Sequence, residues 1–384
     1  MLIAAGAKIN QPDLNISARG IMDSATRPSK DKRVEIAIHH WAPRFVSSGI
    51  PLTDFEEVTA GISRWDEWCA AWSARAAVHE GLGREALAAG HRQSAGEHLT
   101  RAAICYHFGK FMFVHDLEQM KRAHRKVVEC RELALPLLQF PGERVEIPYA
   151  GKRLAGTLRK PAGEGRHPVV VMCVGLDSTK EEMDVYEGIF LARGMATLAF
   201  DGPGQGEAEY DIPVRGDYEV AVKAVVDYIE GRADLDGKRV GLWGVSLGGY
   251  YSARAAAFEK RIRACISLSG PYNWVETFDG RNELSREAFR VRSHSKTMEA
   301  AREVAKTLTL EGVAKNITCP IFVVGGELDQ LTPPHNAKRI AAEVSGPCEL
   351  LIVEGGNHVA NNRRYMFQLR TADWMAERLG VPGR

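Results

Sequence analysis

The 384 residues are 45% hydrophobic and 26% charged, with 50 Lys and Arg against 49 Asp and Glu, a net charge of +1. The length suggests one large domain with a smaller one, and the charge balance gives no electrostatic reason to expect nucleic acid or an anionic membrane as a partner. No run of about 18 apolar residues reads as a membrane span. The apolar start MLIAAGAKINQPDLN breaks at Lys8 without a basic leader, so no signal peptide is expected.

The seven cysteines (69, 105, 130, 173, 265, 319 and 348) are scattered, contain no C-x-x-C pair and read as reduced core residues of a cytoplasmic protein. No Cys/His pair has ligand spacing, so no metal is expected.

In chain order, the first 30 or so residues lack periodicity and read as an arm or loop. From about 35 to 140 the pattern is helical, and residues 1–140 form an N-terminal arm and helical domain. Trp65, Trp68 and Trp72 fall at i, i+3 and i+7 on one helix face. They read as core packing, with a substrate cage as the alternative. Ser94 and Glu97 look like a capping box.

After Pro141-Gly142 the pattern changes, and residues 141–384 read as a second, catalytic domain. RVEIPY (144–149) and LAGTLRKP (154–161) read as paired strands joined by a turn at 150–152. HPVVVMCVG (167–175) is a continuous apolar run, as in a strand buried on both faces. A helix over 179–193, a strand over 195–201, a helix over 217–232 and a strand over 239–246 follow. Next come a helix over 247–259 and a strand over 263–270, then strands over 320–328 and 348–356 with a helix between them and one after. This alternation predicts an α/β fold, a mostly parallel, doubly wound sheet with helices on both faces. Residues 271–316 interrupt it and read as a helical insertion beside the pocket.

Gly244-Val245-Ser246-Leu247-Gly248 fits G-x-S-x-G between an apolar strand and an Ala-rich helix. There a tight turn lifts the Ser246 hydroxyl above the sheet and aims the Leu247 N–H at the same space. The alternative is a glycine-rich turn with an incidental serine. A serine hydroxyl needs an adjacent base, and this fold orders its triad Ser, acid, His. Asp329 and His358 follow successive strands downstream, with Glu327 as a competitor for the acid. The second oxyanion donor is expected after the third strand, at Leu176. Asp201-Gly-Pro-Gly-Gln-Gly206 lacks the spacing of a phosphate cradle and reads as a structural turn.

With these residues in view, the chain resembles a branch of the α/β hydrolases. It is the branch of 2,6-dihydroxypseudooxynicotine hydrolase and the fungal polyketide-shortening hydrolases. GLDSTKEEM (175–183), RGMATLAFDGPGQGE (193–207), GVSLGGYY (244–251), ACISLSG (264–270) and YHFGKFMF (106–113) carry the resemblance, which runs from about residue 60 to the end. The resemblance implies an N-terminal helical cap over an α/β-hydrolase core and a homodimer. It implies hydrolysis of a C–C bond beside a ketone in a small 1,3-diketone-like molecule, with no metal or organic cofactor. It places Ser246, Asp329 and His358 in the triad. Two departures stand out: Val245, where a larger basic residue is expected, and residues 272–300, which match poorly. Cleavage of a small-molecule ester by the same triad, as a carboxylesterase, lactonase or amidase, is the alternative.

C–C cleavage also asks for a proton donor and an electron sink, and Glu276 and His107 are the candidates, a structural or solvated role being the alternative for each. Asp177, Trp274 and Val245 complete the expected substrate contacts. A catalytically silent binding module is disfavoured by the intact order of the three triad residues.

Overall fold

Apolar residues recur at helical spacing from the start of the described region, which in this computed structural model is residues 30–382. The expected N-terminal arm therefore lies largely outside the described residues. Helix α1 (Lys32–Ser47) buries Val34, Ala37, Trp41 and Phe45 on one stripe, and Asp31 caps it by accepting the Arg33 N–H. Helices α2 (Leu52–Gly61), α3 (Trp68–Ala88), α4 (Arg92–Lys110) and α5 (Leu117–Ala134) follow. Phe45 stacks on Phe108 at 3.9 Å, and Trp65, Trp68 and Trp72 lie at the centre of the same core, at most 2% exposed. The Trp68 indole N–H donates to the Phe108 carbonyl at 2.9 Å. These tryptophans are packing residues, as the helical stripe suggested.

The capping box expected at Ser94 and Glu97 is not formed. Helix α4 starts at Arg92 with His91 as its N-cap. Gly90 takes a left-handed φ of 80° and ends α3 so sharply that the next helix begins at once, leaving Ser94 inside the first turn.

Strands β1 (Gly142–Tyr149) and β2 (Lys152–Arg159) form a hairpin. Its two turn residues, Ala150 and Gly151, both take positive φ, which matches the twist of the paired strands. Then come β3 (His167–Cys173), α6 (Asp184–Leu191), β4 (Ala196–Phe200), α7 (Glu219–Glu230), β5 (Leu235–Val245), α8 (Leu247–Phe258) and β6 (Ile262–Leu268). The stretch predicted as an insertion holds α9 (Val275–Phe278), α10 (Glu283–Arg292) and α11 (Met298–Lys306), and β7 (Ile321–Gly326), α12 (His335–Glu343), β8 (Cys348–Val353) and α13 (Gln368–Arg378) complete the chain. The sheet order is β1-β2-β4-β3-β5-β6-β7-β8. Pairing is antiparallel from β1 through β2 to β4 and parallel from there to β8.

Alternation along β3 sends Val169 and Val171 to one face, with α7 and α8, and Val170 and Met172 to the other, with α6 and α13. Leu284 and Ala288 of α10 belong to the core of the N-terminal helices. The helical layer over the sheet is thus built from two distant stretches of chain. Among the described residues no helix is long and apolar enough to cross a membrane.

Buried charges stitch this helical layer to the sheet. Arg44 of α1 donates to Asp177 at 2.6 Å and to both oxygens of Glu182 at 2.7 Å. Lys110 of α4 and Arg292 of α10 both pair with Glu209. Arg131 of α5 and Arg159 of β2 share Asp184 and Glu187. Lys180 sits among Asp201, Glu181 and Glu207. Burial works to raise the Glu182 carboxyl, but Arg44 and a hydrogen bond from His107 hold it well below the usual carboxylate range.

Removing Arg44 leaves two buried carboxylates without their cation, a loss of about 3–5 kcal/mol. Arg44→Met is therefore expected to lower the urea-unfolding free energy by about that much at neutral pH. The wild-type contribution of Glu182 is present above its unfolded-state value and is lost on acidification, while the orphaned carboxylates of the variant are relieved by protonation. Both effects narrow the deficit towards pH 4, and a deficit that widened in acid would contradict this account.

Candidate active site

Strand β5 ends at the sheet's centre and turns directly into α8, and Ser246 occupies that turn with φ 57° and ψ −124°. A non-glycine residue pays about 1–3 kcal/mol in such a region, and it persists only where the surroundings over-determine it. Here the Ser246 N–H donates to Leu268 O and its carbonyl accepts the Gly249 N–H, both at 2.8 Å. A Cβ on Gly244 would lie 2.0 Å from Gly248 O, and one on Gly248 would lie 2.0 Å from Cys173 O. The loop after β3 closes over the same point: the Cβ position of Gly175 is 3.4 Å from Ser246 Cβ. Leu176 and the buried Leu247 therefore flank the serine from two elements.

The Ser246 hydroxyl donates to His358 Nε2 at 2.8 Å, and His358 Nδ1–H donates to Asp329 at 2.9 and 3.0 Å. That tautomer follows because an ionised carboxylate only accepts. Asp329 sits in the turn after β7, is buried, and accepts the N–H groups of Leu331 and Thr332 at 2.9 and 2.8 Å. Burial works to raise its carboxyl, but His358 and these hydrogen bonds hold it below its ordinary value. Glu327 faces away and accepts the Gly355 N–H.

After His358 the chain takes left-handed φ at Val359 (64°) and Ala360 (48°). A β-branched residue there is a genuine outlier. Ser269 Oγ accepts the Val359 N–H at 3.1 Å and fixes the loop. Nothing in the sequence singled out Ser269.

Ser246 and His358 open into a pocket that Val245, Leu176, Asp177 and Trp274 also line. Two expected contacts are elsewhere. Glu276 is half-exposed and pairs with Arg339 at 2.9 Å. His107 is fully buried between Glu182 and Thr179, behind the pocket wall. An exposed carboxylate is better solvated by water than by an apolar pocket, and a buried imidazole beside a carboxylate is already satisfied.

The helical layer supplies lining residues that sequence reasoning missed: His40, Trp41 and Arg44 from α1, and Arg281 and Ser285 at the α9–α10 junction. The stripe of α1 was detectable by periodicity, but nothing local tells which polar residues beside it face a cavity. Burial pushes the His40 imidazole down to about 4.

Among the described residues two groups of side chains have the donor types of a metal site, Asp54/His79/Cys105 and His124/Glu181/Asp201. In each, cationic side chains already meet the carboxylates: Arg75 pairs with Asp54, and the Lys180 ammonium pairs with Glu181 and Asp201.

With this geometry in hand, residues 42–380 match the family described as esterase FrsA-like. The 2,6-dihydropseudooxynicotine hydrolase of Paenarthrobacter nicotinovorans is 35% identical over 309 residues, 80% of this chain and 83% of that protein. The 20-hydroxy-prefusarin hydrolase of Gibberella moniliformis is 35% identical over 225 residues, 55% of this chain and 54% of that protein. The crystal structure of the 2,6-dihydroxy-pseudo-oxynicotine hydrolase superposes with a TM-score of 0.80 at 33% identity, covering 88% of this chain and 95% of that one. That of AbyA5 shares the fold, with a TM-score of 0.74 at 18% identity.

A Cβ on Gly248 would meet the Cys173 carbonyl, a backbone atom that no side-chain rotation can move aside. Gly248→Ala is expected to cost about 3 kcal/mol or more through overpacking and to abolish hydrolysis in whatever protein still folds. A thermal melt with an esterase assay checks both, and an active variant of unchanged melting temperature would refute it.

Proposed function

The chain belongs to the FrsA-like esterase family and is a hydrolase of the α/β-hydrolase fold; from that premise we propose that it hydrolyses the C–C bond beside a ketone in a small 1,3-diketone-like substrate, with Ser246 as nucleophile. The observation that supports the serine mechanism is the unbroken hydrogen-bond chain from Ser246 through His358 to Asp329, opening into a lined pocket. The C–C reading rests on the resemblance carried by GLDSTKEEM and DGPGQGE.

In this mechanism His358, oriented by Asp329, takes the Ser246 proton as Oγ attacks the substrate carbonyl. The N–H groups of Leu176 and Leu247 hold the resulting oxyanion, a contribution of about 3–4 kcal/mol to the barrier. The C–C bond then breaks, its electron pair enters the second carbonyl as an enolate, and the proton on His358 returns to carbon. Water, activated by the same imidazole, releases the acyl group from Ser246, so one water is consumed and a carboxylic acid and a ketone leave. The N-terminal helices, with α10, act as a cap over this chemistry. The family description favours a second reading, in which an ester oxygen takes the place of the departing carbon and the alkoxide leaves with the His358 proton.

A 1,3-diketone panel run beside a p-nitrophenyl ester panel separates the two. Turnover of diketones is expected, and turnover of esters alone would remove the C–C reading. A fluorophosphonate is expected to label wild-type protein and not Ser246→Ala, whose kcat should fall by about 10⁴–10⁶. Asp329→Asn should lower kcat by about 10⁴. Unimpaired turnover in Ser246→Ala would refute the serine mechanism.

A further inference from the structure

Six lysines and arginines of the described residues are buried: Lys110, Arg131, Arg159, Lys180, Arg281 and Arg292. Five of them touch a carboxylate. Arg281 does not: among the described residues no carboxylate lies within ion-pair distance of it. Its Nη2 donates to Thr277 Oγ1 at 3.1 Å and to the Leu331 carbonyl at 2.8 Å, while its Nε–H has no partner. The guanidinium lies 3.7 Å from the Trp274 ring centre. Asp177 and Asp329 are near enough to be felt, but Asp177 is taken by Arg44 and Asp329 by His358. Burial without a counter-ion pushes the guanidinium down to about 10.

A buried cation without a counter-ion is costly and calls for a partner. Arg281 lines the same cavity as Ser246 and His358, and its anchor, Leu331, lines that cavity too. Ser285, one turn into α10, faces the cavity with a buried hydroxyl that also lacks a partner. A planar guanidinium with an open Nε–H and a hydroxyl beside it suits an anionic oxygen, which it meets with charge-assisted hydrogen bonds.

We propose that Arg281 and Ser285 form a subsite for an anionic oxygen, so that the pocket selects molecules with either a carboxylate, or a second carbonyl that becomes an enolate as the bond breaks, beside the carbonyl that Ser246 attacks. This rests on the proposed serine mechanism. Where the oxygen is the enolate, the subsite receives the electron pair that the C–C bond releases. Where it is a carboxylate, the subsite sets substrate choice.

The test is binding without turnover, so its outcome is independent of which bond is cleaved. Ser246→Ala protein is titrated by calorimetry with dimedone, an enolate at neutral pH, with cyclohexanecarboxylate, and with neutral cyclohexanone. At least one anion is expected to bind tenfold or more tightly than the neutral ketone, about the worth of one charge-assisted hydrogen bond, and the tighter anion identifies the source. Adding Arg281→Gln should remove that preference and leave cyclohexanone binding unchanged. Equal binding of all three, or a preference that survives Arg281→Gln, would overturn the proposal. If Arg281→Gln does not fold, Arg281→Lys decides: weaker anion binding with unchanged ketone binding supports the subsite, and unchanged anion binding overturns it.

Discussion

The molecule depends on a layer of charges buried between its helices and its sheet. Arg44, Lys110, Arg131 and Arg292 come from the helical layer, and their carboxylates come from loops and helices attached to the sheet. Each ion alone would be expelled from so dry a place. Together they are satisfied only in one relative placement of the two layers, because a guanidinium fork and a carboxylate pair well only in-plane and at short range. Apolar packing would tolerate sliding; this seam does not. Its position matters for chemistry, since Arg44 and Glu182 line the pocket while also holding α1 to the loop after β3.

That same loop carries Leu176, whose carbonyl accepts a hydrogen bond from Arg292 at 2.7 Å. The region opposite Ser246 is thus fixed by the seam on one side and by the glycine contacts of the turn on the other. Ser246 and Val359 are held in backbone conformations their side chains disfavour, and in the proposed serine mechanism this rigidity would act as preorganisation: neither loop would have to reorganise as charge develops. Strain at the β5–α8 turn and at the histidine loop is tolerable because the surrounding sheet is buried on both faces and cannot yield.

Much of this was legible in the sequence, for physical reasons. Strand and helix alternation shows because a two-faced parallel sheet demands continuous apolar runs, as in HPVVVMC, and each helix between them shows a single apolar face. Ser246, Asp329 and His358, which the structure joins in one hydrogen-bonded chain, were legible as candidates because each follows a strand at the carboxyl edge of such a sheet. The wall opposite was not legible. It is assembled from α1 and from the α9–α10 junction, more than 230 residues apart in the numbering, and no local pattern links Trp41 to Arg281. Glu276 and His107 illustrate the converse. Their residue types suit proton transfer, but solvent and Arg339 satisfy one, and Glu182 and Thr179 satisfy the other.

The stretches that carry the family resemblance also acquire a different meaning. In GLDSTKEEM, Asp177, Ser178 and Glu182 belong to the seam, while Lys180 and Glu181 join Asp201 and Glu207 of DGPGQGE in a buried cluster that ties the two loops to each other. Gly206 is required because a Cβ there would lie 2.1 Å from the Asp201 carboxylate. Gln205 ties the two stretches together by donating to the carbonyls of Val174 and Gly175. These motifs therefore encode how the helical layer docks on the sheet, which is a property of architecture. The pocket wall draws both on one of these motifs and on segments outside them: Leu176, Asp177 and Glu182 come from GLDSTKEEM, and Trp41, Trp274 and Arg281 come from α1 and the stretch around α9. The hydrogen bonds of Arg281 go to Thr277 and Leu331, outside the seam and the serine turn, so this residue can change while both stay as they are.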